Sequence, residues 1–368
     1  MTRVLQVLGR STGGIARHVA AIVAGLEGRD GLTFDVAGPP DIPVSVGAPL
    51  LPVIVPDGAV RGHRGAIEAL ARILRTGDYQ VVHAHGLRAA LDTGVAGLGT
   101  APVRIATIHN LLLPETGGRA RARLFGATEG LVSRLHRHVL APSRDIADRL
   151  QRRAPDRSGR IEVLHLGVGP VLRPRRAGAE VRRELGLEEG QRMVATVARL
   201  APQKALGVLL EALTRLRDGV VAVVVGTGPS YDELVRRAHG LGVARRVRWL
   251  GYRDDAAEIV AAADVFVLTS VWEACSLAAQ EAIALGVPVV STEVGGMPEL
   301  VTDRVSGRLV PPGDADGIAR AVAEILGAPE LAQAYREAAA RHLARQFSLD
   351  VMLGRLRDLY LAEAAVGG

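Results

Sequence analysis

Glu273 and Glu281 are separated by seven residues, among them Ser276, Leu277 and Ala278 at the start of a run that reads as a helix. Ser276 is an acceptable N-cap, and Gly286 and Pro288 stop the run. The first-turn amides of a helix have no acceptor of their own, so Ser276, Leu277 and Ala278 form a cradle for an anion. Two carboxylates flanking such a cradle suit a ligand whose hydroxyls flank a diphosphate. A sugar nucleotide has that layout: ribose, pyrophosphate, sugar. Just upstream, Val265-Phe266-Val267-Leu268 reads as a buried parallel strand. Ligands of open α/β sheets bind in loops beyond the carboxyl ends of such strands. Taken alone, the two acids equally describe a strand–helix unit with solvated side chains.

A second group leaves another strand end. Val197-Ala198-Arg199-Leu200-Ala201-Pro202-Gln203-Lys204 places a planar guanidinium and a compact ammonium where both could meet a diphosphate. Lys204 is the single lysine among 45 basic residues, in a chain that otherwise uses arginine. Gly226 and Gly228 bracket an open strand-to-helix turn against which a base could lie. Cys275 is the only cysteine, so no internal disulfide forms, and with no base near it in sequence it is assigned to packing.

The N-terminal half offers softer chemistry. A strand at 4–8 runs into Gly9-Arg10-Ser11-Thr12-Gly13-Gly14 and then a helix, a turn in which Gly14 lets the backbone approach phosphate. The glycine spacing does not suit a dinucleotide-binding dehydrogenase. His83, His85 and His109 lie at or just past strand ends. His83 and His85 read as strand caps or partners of a neighbouring loop, and His109 as a residue facing a ligand. No carboxylate pair or cysteine cluster accompanies them at metal-ligand spacing, which argues against zinc.

Strand-like runs at 32–37, 51–55, 79–84 and 103–108, with helices at 63–75 and 86–97, give a parallel sheet covered on both faces. After a strand at 161–164, glycines, prolines and charges near 168–175 mark a linker. A second series follows: strands at 192–197, 220–225, 246–250 and 265–268, helices at 205–217 and 229–240. The chain thus reads as two similar α/β halves, 1–168 and 169–348, closed by an amphipathic helix at 349–364. At 368 residues both can hold full cores. No apolar run reaches a membrane span, the N-terminus lacks a signal-peptide pattern, and these features with the cysteine usage suggest the cytoplasm. Aromatic residues at 3% argue against a platform for single-stranded nucleic acid. Residues 115–160 carry eleven arginines against five acids, a balance equal to the whole chain's +6. This stretch reads as a solvated helical face, or as a docking surface for anionic lipid or an anionic acceptor.

Together these stretches resemble glycosyltransferase family 4, retaining enzymes of the GT-B fold. The resemblance rests on Glu273 through Glu281, on Ala198 to Lys204, on Val294-Gly295-Gly296-Met297-Pro298-Glu299, on Leu309 to Asp314 and on the Gly13-Gly14 turn. It implies two Rossmann-like domains facing a central cleft, acceptor side first and donor side second, with the last helix returning to the first. It also implies that Arg199 and Lys204 neutralise the donor diphosphate and help the nucleotide leave. Glu281 would hold the ribose, Glu273 the sugar hydroxyls, and the amides of Ser276 to Ala278 the phosphate. Gly14 would approach phosphate from the other domain, and His109 would face the reacting sugar. No bound metal or cofactor is implied beyond the nucleotide-sugar co-substrate, a UDP-sugar in preference to GDP-mannose. The acceptor is left open among a phosphoinositol, a lipid-linked glycan and a secondary metabolite. The alternatives are a non-catalytic nucleotide-sugar-binding scaffold and a UDP-N-acetylglucosamine epimerase. The sequence departs from the family at Ala274 and Cys275, at Ala205 where glycine is frequent, and at Leu166-Gly167-Val168-Gly169 in the linker.

Overall fold

The computed structural model describes all residues except 11–13, 43–44, 58–61, 110–118, 170–173 and 368. Parts of the glycine turn at 9–14 and of the linker, and the start of the arginine-rich stretch, therefore lie outside the described residues. The chain divides into two compact units, Met1–Leu166 with Leu349–Gly368, and Gly167–Ser348.

The first unit is built on β1 (Thr2–Leu8), β2 (Leu32–Gly38), β3 (Leu50–Pro52), β4 (Val81–His85), β5 (Val103–Thr107), β6 (His138–Ala141) and β7 (Ile161–Val163). All pair in parallel, in the order β3-β2-β1-β4-β5-β6-β7. Its helices are α1 (Gly14–Leu26), α2 (His63–Thr76), α3 (Leu87–Ala96), α4 (Arg119–Leu135) and α5 (Arg144–Arg153). The final helix, here α14 (Leu349–Gly367), belongs to this unit and buries Met352, Leu356 and Tyr360 against Val4, Leu8 and Ile105. Strand β6 is missing from the sequence reading because four residues, His138-Val139-Leu140-Ala141, sit inside an arginine-rich run that looks helical throughout. That run is also less solvated than its charge suggests. Glu129 is buried and takes both Arg149 (2.9 Å) and Arg153, while Arg134 pairs with Asp156 and Arg137 with Glu363.

The second unit carries β8 (Arg192–Val197), β9 (Val220–Val225), β10 (Val247–Gly251), β11 (Val265–Leu268), β12 (Val289–Thr292) and β13 (Arg308–Val310), paired in parallel as β10-β9-β8-β11-β12-β13. Between and after them come α6 (Gly178–Glu184), α7 (Leu206–Leu213), α8 (Tyr231–Gly240), α9 (Ala256–Ala261), α10 (Leu277–Ala284), α11 (Met297–Leu300), α12 (Ala315–Gly327) and α13 (Pro329–Gln346). Alternate residues of β8 enter opposite cores: Val194 joins Leu209, Leu213 and Val322, whereas Met193 and Ala195 join Ile283, Met297 and Phe347. This two-sided burial explains the near-continuous apolar runs of the strands. The last two strands are short and lie beside prolines and glycines, so neither stands out as a strand in sequence.

In both units the strand order reverses beside the first strand, between β1 and β4 and between β8 and β11. The loops leaving those strands splay apart there, opening a crevice at the carboxyl edge of each sheet. Among the described residues, no helix is long and apolar enough to cross a membrane.

Candidate active site

In the second unit the reversal joins the two loops that carry the sequence-derived charges. The loop after β8 is held by Ala198 and Leu200, whose amides donate to the carbonyls of Val225 and Thr227 at 3.0 and 2.9 Å. A 3-10 turn, Pro202–Lys204, then leads through Ala205 into α7. The loop after β11 is stitched to it. Val271 N–H donates to Gln203 O (2.9 Å), Gln203 Nε2 to Trp272 O (2.9 Å), and Thr269 Oγ1 to Lys204 O (3.0 Å). These bonds set Lys204 against Glu273, with Nζ 2.5 Å from Oε1 and both side chains largely buried. Ser270 Oγ donates to the same oxygen at 2.5 Å, and its own carbonyl accepts from Thr292 Oγ1. A buried ion pair is retained only where geometry and further hydrogen bonds offset its desolvation, and both are present.

The backbone of Glu273 is gripped from the far side. Gly296 N–H donates to Glu273 O (2.9 Å), and a Cβ on Gly295 would stand 1.9 Å from that oxygen. Beyond the loop, Ser276 caps α10 by accepting from Ala279 N–H at 3.3 Å. The amides of Leu277 and Ala278 lie in the first turn of α10, where no intrahelical acceptor exists. Glu281 is half-buried one turn further along, four residues after Leu277. Arg199 is exposed and has no ion-pair partner among the described residues.

Two close contacts involve residues expected at the site from the sequence. Gly226 and Gly228 admit the chain's own backbone: a Cβ on them would meet Ala198 O at 2.0 Å and Leu200 O at 2.3 Å. These glycines thus let the Arg199–Lys204 loop pack closely against the turn. Glu273 and Lys204, expected to bind sugar and diphosphate separately, are bonded to each other.

The first unit holds Gly14 and His109. Gly14 opens α1, is exposed, and has open space where a Cβ would stand. His109 is buried within a set of imidazoles that the fold, and not the spacing, assembles. Registers pair Gln6 with His83, His83 with Ile105, and His85 with Thr107. These residues share one face of the sheet, beneath α1 and α14. His85 Nε2 lies 2.7 Å from Gln6 Oε1, and its Nδ1 lies 3.3 Å from His109 Nε2. His83 bonds the Tyr360 hydroxyl and Thr107 Oγ1. His83 is thus a core partner of β5 and α14, and His85 joins β1 to His109 in the loop after β5. Burial pushes His83, His85 and His109 well below the ordinary imidazole value, and His18 down to about 4.

His18, on α1, completes the cluster, and its Nε2 has no hydrogen-bond partner among the described residues. Ligand atoms of His18, His85 and His109 lie within 4.8 Å of one another. Three nitrogens on a tetrahedral zinc stand about 3.3 Å apart. His85 already has Gln6 Oε1 against its Nε2 and His109 Nε2 against its Nδ1, so the set reads as a hydrogen-bonded cluster. Sequence reading missed His18, Gln6, Ser270 and the grip of Gly295. The available signals were a histidine on an otherwise apolar helical face, a polar residue inside an apolar strand, and a hydroxyl three residues before Glu273.

Two parallel sheets with the same strand reversal, one bearing paired cation and carboxylate loops at the crevice, define the GT-B architecture of enzymes that use nucleotide sugars. HepE of Anabaena, solved in complex with UDP, aligns with a TM-score of 0.85 at 20% identity over 98% of this chain and 100% of that one. Sucrose-phosphate synthase of Thermosynechococcus elongatus aligns at 0.82 and 19% identity over the full length of both chains. Residues 12–170 match the model for Glycosyltransferase Family 4, and residues 179–342 that for Glycosyl transferases group 1. A D-inositol 3-phosphate glycosyltransferase of Salinispora arenicola is 35% identical over 321 residues, covering 79% of this chain and 70% of that protein. One from Mycolicibacterium gilvum is 41% identical over 178 residues, 46% of this chain and 40% of the relative. The chain belongs to glycosyltransferase family 4. It spans 40%, 59% and 70% of the lengths of three such relatives.

Proposed function

We propose that the protein is a retaining glycosyltransferase that moves a hexose or N-acetylhexosamine from a UDP-sugar to a phosphorylated cyclitol. The observation that carries the donor half is the Lys204–Glu273 pair at 2.5 Å, at the strand reversal and ahead of the α10 N-terminus. Arg199, Lys204 and the α10 amides supply positive charge for a diphosphate leaving group, so no bound metal is required. Stabilising charge that develops in the transition state is usually the largest catalytic contribution. Glu281 is assigned to the ribose and Glu273 to sugar hydroxyls. UDP and UDP-glucose complexes of HepE support the choice of nucleotide. The names of the curated relatives support an inositol phosphate as acceptor. Peripheral contact with anionic lipid is part of the proposal. Helix α4 exposes Leu124 and Leu131, seven residues apart on one side, in a stretch that also exposes Arg123, Arg152 and Arg160. Co-sedimentation with anionic vesicles at low salt tests that contact, and absence from the pellet removes it.

Calorimetric titration with UDP, and separately GDP, in excess EDTA tests the donor site. UDP binding without metal is expected, and Lys204→Ala should reduce turnover at least about tenfold, a loss of roughly 1.4 kcal/mol in transition-state stabilisation. Proton NMR of a UDP-sugar with D-inositol 3-phosphate then reports the acceptor and the retained anomeric configuration. Binding of neither nucleotide overturns the donor site. An epimer formed without acceptor overturns transfer.

A further inference from the structure

The buried row of polar groups in the first unit leaves little freedom in placing its protons. Gln6 Nε2 lies 3.2 Å from the Tyr360 hydroxyl, which lies 2.6 Å from His83 Nδ1. His83 Nε2 lies 2.8 Å from Thr107 Oγ1. On its other side, Gln6 Oε1 lies 2.7 Å from His85 Nε2, and His85 Nδ1 lies 3.3 Å from His109 Nε2. An amide nitrogen only donates and a carbonyl oxygen only accepts. Gln6 therefore donates to the Tyr360 oxygen, and the tyrosine proton goes to His83 Nδ1. His85 carries its proton on Nε2, toward Gln6 Oε1, and presents a bare Nδ1. His109 must then donate from Nε2, and its own Nδ1 is left as a lone pair. Turning the Gln6 amide over reverses every bond in the row and moves the His109 proton to Nδ1. With all rings uncharged, these are the two consistent arrangements, and the orientation of Gln6, with Nε2 toward Tyr360 and Oε1 toward His85, selects the first.

We propose that Gln6, His85 and, behind them, Tyr360 are positioning residues that hold His109 as its Nε2–H tautomer, so that the nitrogen it offers a ligand is an acceptor for a hydroxyl proton. The inference rests on the reading of His109 as the residue that faces the sugar, and it deepens that reading. His109 takes a sugar hydroxyl as donor, and it does not deliver a proton to it. Tyr360 acts from α14, through two intervening side chains.

The test is nitrogen-15 NMR of the histidine-labelled whole protein without ligand at pH 7.5. Two-bond proton–nitrogen correlations report which ring nitrogen is bare, and His109→Asn assigns the signals. The wild type should show His109 with Nδ1 bare. Tyr360→Phe frees the Gln6 amide to turn and should give a mixture of tautomers, as should Gln6→Leu. Gln6→Glu can only accept, so it should retain the wild-type tautomer. A wild-type His109 protonated at Nδ1 overturns the proposal. So does one unchanged tautomer in both Tyr360→Phe and Gln6→Leu. If Gln6→Leu does not fold, Tyr360→Phe, which loses one hydroxyl, decides alone. Because no donor is present, the result stands whether or not UDP binds or sugar is transferred.

Discussion

The two units share a strand order and differ in what they bury where it reverses. The first buries imidazoles in their neutral state, joined by hydrogen bonds to Gln6, Thr107 and Tyr360. The second buries a cation against a carboxylate and presses glycines onto the loops that carry them. Neutral rings avoid the desolvation cost of charge, at the expense of depending on pH. The ion pair and its glycines depend instead on close backbone approach that leaves no room for a Cβ at Gly226, Gly228 or Gly295. Where the strand order reverses, the first unit is thus vulnerable to acid and the second to atoms added at the glycines beneath its loops.

The largest expected effect follows from the first half of that contrast. Burial lowers His18 and His136 to about 4 and moves His83, His85 and His109 in the same direction. With the folded value below the unfolded one, the unfolded chain binds more protons between the two. The stability held by neutral rings is complete above about pH 6.5 and is lost as pH falls toward the folded values. Each ring that stays neutral in the fold costs about 1.4 kcal/mol per pH unit in that window, and the losses of the buried set run in the same direction. Hydrogen exchange at pH 7.5 and 5.0, corrected for intrinsic rates, should show β1, β4 and β5 losing protection while β8 and β11 keep theirs. Equal losses in both units would break the comparison.

The second half predicts a smaller but sharper effect. Gly295 has φ 52°, and an added methyl would stand 1.9 Å from Glu273 O, a backbone atom that cannot move aside alone. Gly295→Ala should cost about 3 kcal/mol or more, combining overpacking with a left-handed backbone. Gly14→Ala in the first unit meets open space at the start of a helix and should stay within about 0.5 kcal/mol. Urea midpoints of the two variants check the contrast, and similar midpoints would mean that the Glu273 loop relaxes.

The difference between the units also decides what could be read from the sequence. Lys204, Glu273 and Glu281 stand out because a rare residue, an acid pair and a capped helix are local signals. The parallel sheets were legible from apolar runs and their helical spacers. Strand β6 was not, since its four residues are embedded in arginines, and neither were the short β12 and β13. The histidine cluster is the clearest case of information absent from the linear chain. Gln6, His18, His85, His109 and Tyr360 are separated by up to 354 residues and meet only through strand register and the return of α14. The pairing of Lys204 with Glu273 was likewise hidden, because two loops 69 residues apart must first be stitched through Gln203.

The smallest effect concerns the one residue of the Lys204 loop whose backbone is strained. Ala205 follows Lys204 with φ 44° and ψ 40°, a left-handed conformation that glycine adopts without strain. That conformation costs an alanine about 1–2 kcal/mol. Replacing it with glycine removes the cost and adds about 0.4–1 kcal/mol of unfolded-state entropy, so Ala205→Gly should stabilise by up to about 1 kcal/mol. The first unit provides the opposite case. Gly86 follows β4 with φ 88° and ψ 156°, a region closed to side chains, and Gly86→Ala should lose about 1–3 kcal/mol. Urea denaturation with unchanged m-values would read both shifts as stability. If Ala205→Gly stabilises while turnover falls, the strain at Ala205 is holding Lys204 in place for catalysis. If turnover is unchanged, the Gln203 and Thr269 bonds suffice to place the lysine, and the alanine is a cost that the second unit tolerates because its ion pair is over-determined.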